Sequence, residues 1–214
     1  MRIRHIAPVA GLLCLAVAGC TTLSEGEPQP APTNEASTTD SSPPSSSSSG
    51  GDDLPSHGAP KVEDPLDASR FEQDPCATLT AAQAQELGLP ATGKQENGIL
   101  GLDCEWFNLD TRGQVTISPL TNSDRGLSGF YAADQRGEYA YFMPLPPIEG
   151  FPVIAADLVD RRPEGTCVIV VGVADQLAFG VSLKLSGANV EMKDPCETAA
   201  LVAGMALRTM KAEG

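Results

Sequence analysis

Four cysteines stand in the C-terminal two thirds of the chain, Cys76, Cys104, Cys167 and Cys196, separated by 28, 63 and 29 residues. No other feature restricts the fold as much, because joined in pairs they tie together segments that are distant in sequence. Two of them close the same tripeptide, Asp74-Pro75-Cys76 and Asp194-Pro195-Cys196. Whether such cysteines are thiols, metal ligands or disulfides depends on the redox compartment. The first twenty residues bear on that.

The chain begins MRIRHIAPVAGLLCLAVAGC. Arg2 and Arg4 form a short positive region, followed by an apolar run from Ile6 to Ala18. These 13 residues fall short of the roughly 20 that span a bilayer and have the proportions of a signal sequence. Val17-Ala18-Gly19-Cys20 resembles the lipobox of bacterial lipoproteins. That resemblance implies a signal peptide over residues 1–19 and cleavage before Cys20. It also implies a diacylglycerol thioether-linked to the Cys20 sulfur and acylation of the new amino group, palmitate being a typical chain. Cys14 leaves with the signal. A membrane partner is thus expected through Cys20, with the chain held on the extracytoplasmic face of the plasma membrane.

Residues 20–70 are rich in Ser, Pro, Thr, Gly and acid, with hardly a large apolar side chain. Such a segment buries too little surface to offset the entropy of ordering it, so the composition predicts a disordered tether. Residues 71–214 then form one domain, long enough for a single core. They carry 19 acidic against 10 basic residues. That balance argues against nucleic acid and against close association with anionic headgroups.

In an exported domain an even number of cysteines reads as disulfides. A four-thiolate zinc site favours closely spaced pairs such as C-x-x-C, which these gaps do not provide. Three connectivities exist. If the helix after Cys76 runs down the sheet and the next strand returns, Cys104 opens the following strand near Cys76. Cys167 opens a hairpin that finishes close to Cys196. Cys76–Cys104 with Cys167–Cys196 is therefore preferred, and Cys76–Cys196 with Cys104–Cys167 is the alternative. In each Asp-Pro-Cys, Asp supplies a cap oxygen, Pro suits the first helical position and Cys falls in the first turn. Asp194 with Glu197 resembles a capping box, whereas Asp74 opens only a short turn before the Thr80 cap.

The remaining pattern is α+β: a mainly antiparallel sheet with N- and C-terminal helices packed on it and two disulfides. Thr80 and Gln83 form a capping box for AAQAQEL, with Gly88 as its stop. LDCEWFN and QVTISPL read as a hairpin, and TCVIVVGV with LAFGVSLKL as a second. EYAYFM and FPVIAADL read as strands broken by PLPPIEG, and residues 124–136 as a short helix. The last run, CETAALVAGMALRTMK, places Val202, Ala206 and Met210 in one helical stripe, with Leu201 and Met205 beside it.

The pieces DPCATLTAAQAQELG, CEWF, GFPVI, GTCVIVV and DPCETAALVA, in this order, resemble domain-of-unknown-function family 3558, lipoproteins of actinobacteria. Val153 departs from the small residue expected after Gly-Phe-Pro. The resemblance implies an anchored, disulfide-bearing α+β domain in the cell envelope and carries over no activity. Low lysine and high Ala, Gly and Pro agree with a high-GC bacterium.

Of the two histidines, His5 leaves with the signal and His57 falls in the tether. Ser-His-Asp and Cys-His arrangements are therefore not expected in the domain. No cofactor motif or metal-ligand spacing occurs, so neither group is expected. Glu105, Asp110, Asp157 and Asp160 are the acids a hydrolase of cell-wall polymer would draw on. Phe130, Tyr131, Tyr139, Tyr141, Phe142 and Phe151 crowd one stretch of an aromatic-poor chain. They read as core, or as a ligand groove rimmed by Pro144, Pro146 and Pro147. The expected function is non-enzymatic: a domain displayed on the envelope that binds a partner protein, a glycan or an apolar ligand. An acid-pair hydrolase and a passive structural lipoprotein are the alternatives.

Overall fold

The computed structural model describes residues 53–213. The expected signal peptide, Cys20 and the tether up to residue 52 lie outside them. Among the described residues no helix is long and apolar enough to cross a membrane.

Seven strands form one sheet: β1 Lys94–Gly98, β2 Gly101–Phe107, β3 Gln114–Pro119, β4 Tyr141–Ile148, β5 Phe151–Asp157, β6 Thr166–Ala174 and β7 Leu177–Lys184. Their spatial order is β1-β2-β3-β7-β6-β5-β4, and every pairing is antiparallel. The α-helices are α1 Ser69–Gln73, α2 Ala81–Glu86, α3 Gly126–Gln135 and α4 Pro195–Glu213.

Sequence pattern decides which strands are covered twice. In β3, Val115 and Ile117 point into the core while Gln114, Thr116 and Ser118 point away, the alternation of a strand with one buried face. β5 and the second half of β6 are apolar at consecutive positions and buried at nearly all of them. They are sandwiched: α4 lies on one face and α3 on the other. The main core joins Trp106, Ile117, Ile169, Val171 and Val181 to Val202, Ala206, Leu207 and Met210 of α4. A smaller core joins Leu127 of α3 to Ile154, Ala156, Val170 and Ala178. The expected α+β fold is observed, with α3 as a third layer that the N- and C-terminal helices alone do not supply.

Two expectations are corrected. The domain does not begin at Phe71, since part of the 20–70 segment is packed on it. The Ser56 N–H donates to Ser128 Oγ at 2.9 Å, Val62 N–H to Asp175 Oδ1 at 2.8 Å and Leu66 N–H to the Val173 carbonyl at 2.8 Å. Val62 and Ala68 are buried in the main core and Ala59 in the smaller one. A few well-placed apolar groups and borrowed side-chain acceptors suffice to order it. PLPPIEG, in turn, does not end its strand, because β4 runs through Pro144, Pro146 and Pro147. It is an edge strand, where a missing N–H removes no ladder bond.

The preferred pairing of the cysteines is the one observed. Cys76–Cys104 and Cys167–Cys196 are disulfides with Cα separations of 5.0 and 5.1 Å. The two Asp-Pro-Cys copies are not equivalent. Asp194 Oδ1 accepts from the N–H of Cys196 at 2.7 Å and of Glu197 at 3.0 Å, capping α4. The Asp74 carboxylate makes no cap bond to the 3-10 turn Pro75–Thr78. The cap on that side is Thr80, in a reciprocal box with Gln83.

Gly93 seats the first disulfide. A Cβ there would lie 2.3 Å from Cys104 Sγ and 2.7 Å from the Trp106 ring, both deep in the core. Gly93→Ala is therefore expected to lose about 3 kcal/mol, the upper end of overpacking costs. A urea midpoint unchanged from wild type would refute that assignment.

Candidate functional site

The strands at the middle of the sheet carry a cleft. Val115 of β3 and Leu183 of β7 are register partners on the α4 face and form its floor. One wall is the C-terminal end of α2 with Leu87, Gly88 and Leu89, and the other is α4 with Thr198, Leu201 and Met205. Glu86, Thr111, Ser186, Asn189 and Lys193 form a polar rim. The cavity is about 290 Å³, close to the lower bound of small-molecule sites.

Both walls are fixed in place. The turn leading into α2 is bonded to β2 through Cys76–Cys104, and α4 is bonded to β6 through Cys167–Cys196. In the order β2-β3-β7-β6 the two floor strands lie between the two stapled ones. The walls also brace each other: Gln83 Nε2 donates to the Met205 carbonyl at 3.2 Å and Thr209 Oγ1 to Gln83 Oε1 at 3.0 Å. Gly88, at φ 72°, reverses the chain out of α2 and allows Leu89 to turn inward. Asn108 Nδ2 holds the Gly88 carbonyl at 2.7 Å, tying this wall to the β2–β3 turn. Leu201 is 52% exposed although Val202 and Met205 beside it are buried. A wall of the cleft thus presents apolar surface to solvent.

None of the six clustered aromatics lines this cleft. Strand alternation separates them. Phe130, Tyr131, Tyr139 and Phe142 pack together on the α3 side, with Tyr131 edge-on to Phe142 at 5.0 Å and Tyr139 stacked on it at 6.0 Å. Burial raises the Tyr131 and Tyr139 hydroxyls above their ordinary pKa. Tyr141 and Phe151 are buried on the opposite face, in the main core. Pro144, Pro146 and Pro147 face solvent at the sheet edge. Four of the six thus pack against one another beside α3 and two in the main core, as the core reading expects.

The four acids singled out in the sequence are dispersed into separate local roles. Glu105 Oε2 accepts from Gln114 Nε2 at 2.5 Å, and Asp157 pairs with Arg161 at 3.0 Å. Asp160 pairs with Arg162 at 2.7 Å, and the guanidinium hydrogen bond holds that carboxyl down at about 2. Asp110 sits in the β2–β3 turn, its N–H bonded to Asn108 Oδ1. Arg162 also lies 4.2 Å from the Tyr141 ring centroid. His57, expected in the tether, instead lies on the domain, its Nδ1 3.2 Å from Gln135 Oε1 and its Nε2 3.5 Å from Arg125. Its ring is thereby engaged by an amide and a guanidinium. Among the described residues no cluster of His, Cys, Asp and Glu could hold a metal ion.

The cleft residues carried little sequence signal. Leu87 and Leu89 flank a helix-stop glycine, and Val115 and Leu183 read as ordinary core. Leu201 and Met205, beside the α4 stripe rather than in it, were the residues that hinted at a second apolar direction. A family described as protein of unknown function (DUF3558) matches residues 15–209. No curated protein and no solved structure matches the chain.

Proposed function

We propose, for a chain that belongs to the DUF3558 family of proteins of unknown function, that it is a lipid-anchored envelope protein whose domain captures a small ligand in the α2–α4 cleft. It holds that ligand without transforming it, outside the plasma membrane. The observation that carries the reading is the cleft itself. An apolar floor with a few polar groups at its rim is the usual composition of a binding site. Walls already stapled to the sheet reduce the ordering cost of binding. The lipobox at Cys20 and the Ser/Pro-rich stretch after it support display at the membrane surface. The non-enzymatic reading is supported by Asp157 and Asp160, each paired with an arginine rather than poised as an acid or base.

Titrating the ¹⁵N-labelled domain with the small-molecule fraction of an envelope extract tests this. Amide shifts are expected at Leu89, Thr111, Leu183 and Leu201, and they should vanish in Leu201→Lys, an exposed change that leaves the fold intact. Shifts scattered over the surface, or none, would remove the basis for the proposal.

A further inference from the structure

The two edges of the sheet are built differently. The β4 edge is closed to further pairing: Pro144, Pro146 and Pro147 lack donors, and the register shifts between Leu145 and Ile148. β1 has neither device. Its pairing with β2 runs unbroken from Lys94 opposite Glu105 to Gly98 opposite Gly101, and all five of its residues are exposed. Ile99 and Leu100 form the two-residue turn that closes this hairpin, so Gly98 and Gly101 are a hydrogen-bonded pair. By alternation the backbone groups of Lys94, Glu96 and Gly98 face β2. Those of Gly93, Gln95 and Asn97 point outward, and among the described residues no turn or loop backbone group bonds to them. Side chains alternate as well. Gln95 lies opposite the buried Cys104, on the α4 face, and its Nε2 donates to the Gln73 carbonyl at 3.2 Å. Lys94 and Glu96 share the other face, where they form an exposed ion pair.

We infer that β1 pairs with β1 of a second copy of this chain, antiparallel about a two-fold axis through Gln95, joining two sheets into one. Charge selects that register. An axis through Glu96 would set this carboxylate against its own copy in a non-hydrogen-bonded pair, the arrangement that brings side chains closest. An axis through Asn97 would leave Glu96 opposite Gly98 and carry Lys94 past the end of the other strand. An axis through Gln95 matches the outward backbone groups of Gly93, Gln95 and Asn97 in both copies. It also places Lys94 opposite Glu96 of the second copy on each side of the axis. A lone lysine on an edge discourages pairing, but a lysine and a glutamate flanking one residue are self-complementary about it. The same register carries Ile99, 98% exposed in the single chain, toward the stretch before β1 in the second copy, where Pro90 and Ala91 give it apolar surface. The contact is isologous and closes at two copies, because the β4 edge left at either end is blocked by its prolines.

Sedimentation equilibrium of the full chain, in density-matched detergent, is expected to give a dimer. Glu96→Lys tests the register without disturbing the hairpin, because the new side chain still faces Asp103 of its own β2. It gathers only ammonium groups at the contact and should weaken dimerisation about tenfold or more, with an unchanged melting temperature. Lys94→Glu gathers only carboxylates there and should weaken it similarly. Mixed in equal amounts, the two variants should pair with each other about as tightly as wild type pairs with itself, since each supplies the charges the other lacks. A monomeric wild-type chain, which would leave the edge to a strand of another protein, overturns the inference. So does a dimer that tolerates Glu96→Lys, and so do reversed variants that stay apart when mixed.

Discussion

Replacing Cys76 and Cys104 together by alanine is expected to cost about 3–4 kcal/mol and to release α2 from the sheet while α4 stays packed. The first part follows from loop closure. The bond spans 28 residues, and removing a constraint of that length from the unfolded chain is worth about 3–4 kcal/mol in the chain-entropy model. Cys104 is fully buried, so the truncation adds a cavity cost. The second part follows from unequal burial. α2 has six residues and buries only Ala84, whereas α4 buries Val202, Ala203, Ala206, Leu207 and Met210 among others. Such a short helix is held by its cap, by Gln83 and by the staple just upstream, not by a face of its own. Hydrogen exchange should therefore show α2 amides losing protection selectively, and the cleft losing one wall. A loss below about 1 kcal/mol, or α2 protection equal to that of wild type, would contradict this account. The matching Cys167→Ala/Cys196→Ala variant should lose similar stability without selective release of α4.

Local rules carried the sequence reading a long way. The alternation in QVTISP, the Thr80–Gln83 box, the Asp194 cap and the long hairpin of β6 and β7 are properties of neighbouring residues, and each is observed. So is the disulfide pairing, because each bridge joins elements whose separation is set by one helix–strand or hairpin return. What the sequence did not disclose is non-local. The prolines of β4 read as breakers because nothing in PLPPI says that the strand lies at a sheet edge. His57 read as tether because its partner Gln135 is 78 positions away. The cleft is the clearest case. Val115 and Leu183 are apolar in the proper alternation, and periodicity reports which face they occupy. It cannot report that α2 and α4, joined through Gln83 and Met205, leave the floor beside that contact uncovered.

Cys20→Ala is expected to remove the mature protein from the membrane fraction, leaving uncleaved precursor or released chain. Anchoring in the proposed form rests wholly on that sulfur. The apolar run Ile6–Ala18 has 13 residues, too few to span a bilayer, and in the proposal it is cut away. Among the described residues no helix can cross a membrane, and the acidic surface gives no electrostatic attraction to anionic headgroups. In the proposal attachment comes from acyl chains, at about 0.8 kcal/mol per buried methylene, with two chains needed for stable residence. The wild-type N-terminal peptide should accordingly carry the mass of a diacylglycerol on Cys20. Mature, membrane-bound Cys20→Ala protein with a processed N-terminus would show that something other than lipid holds it. The cleft and its disulfides would be untouched by that outcome, because both are built wholly from residues between Cys76 and Met205.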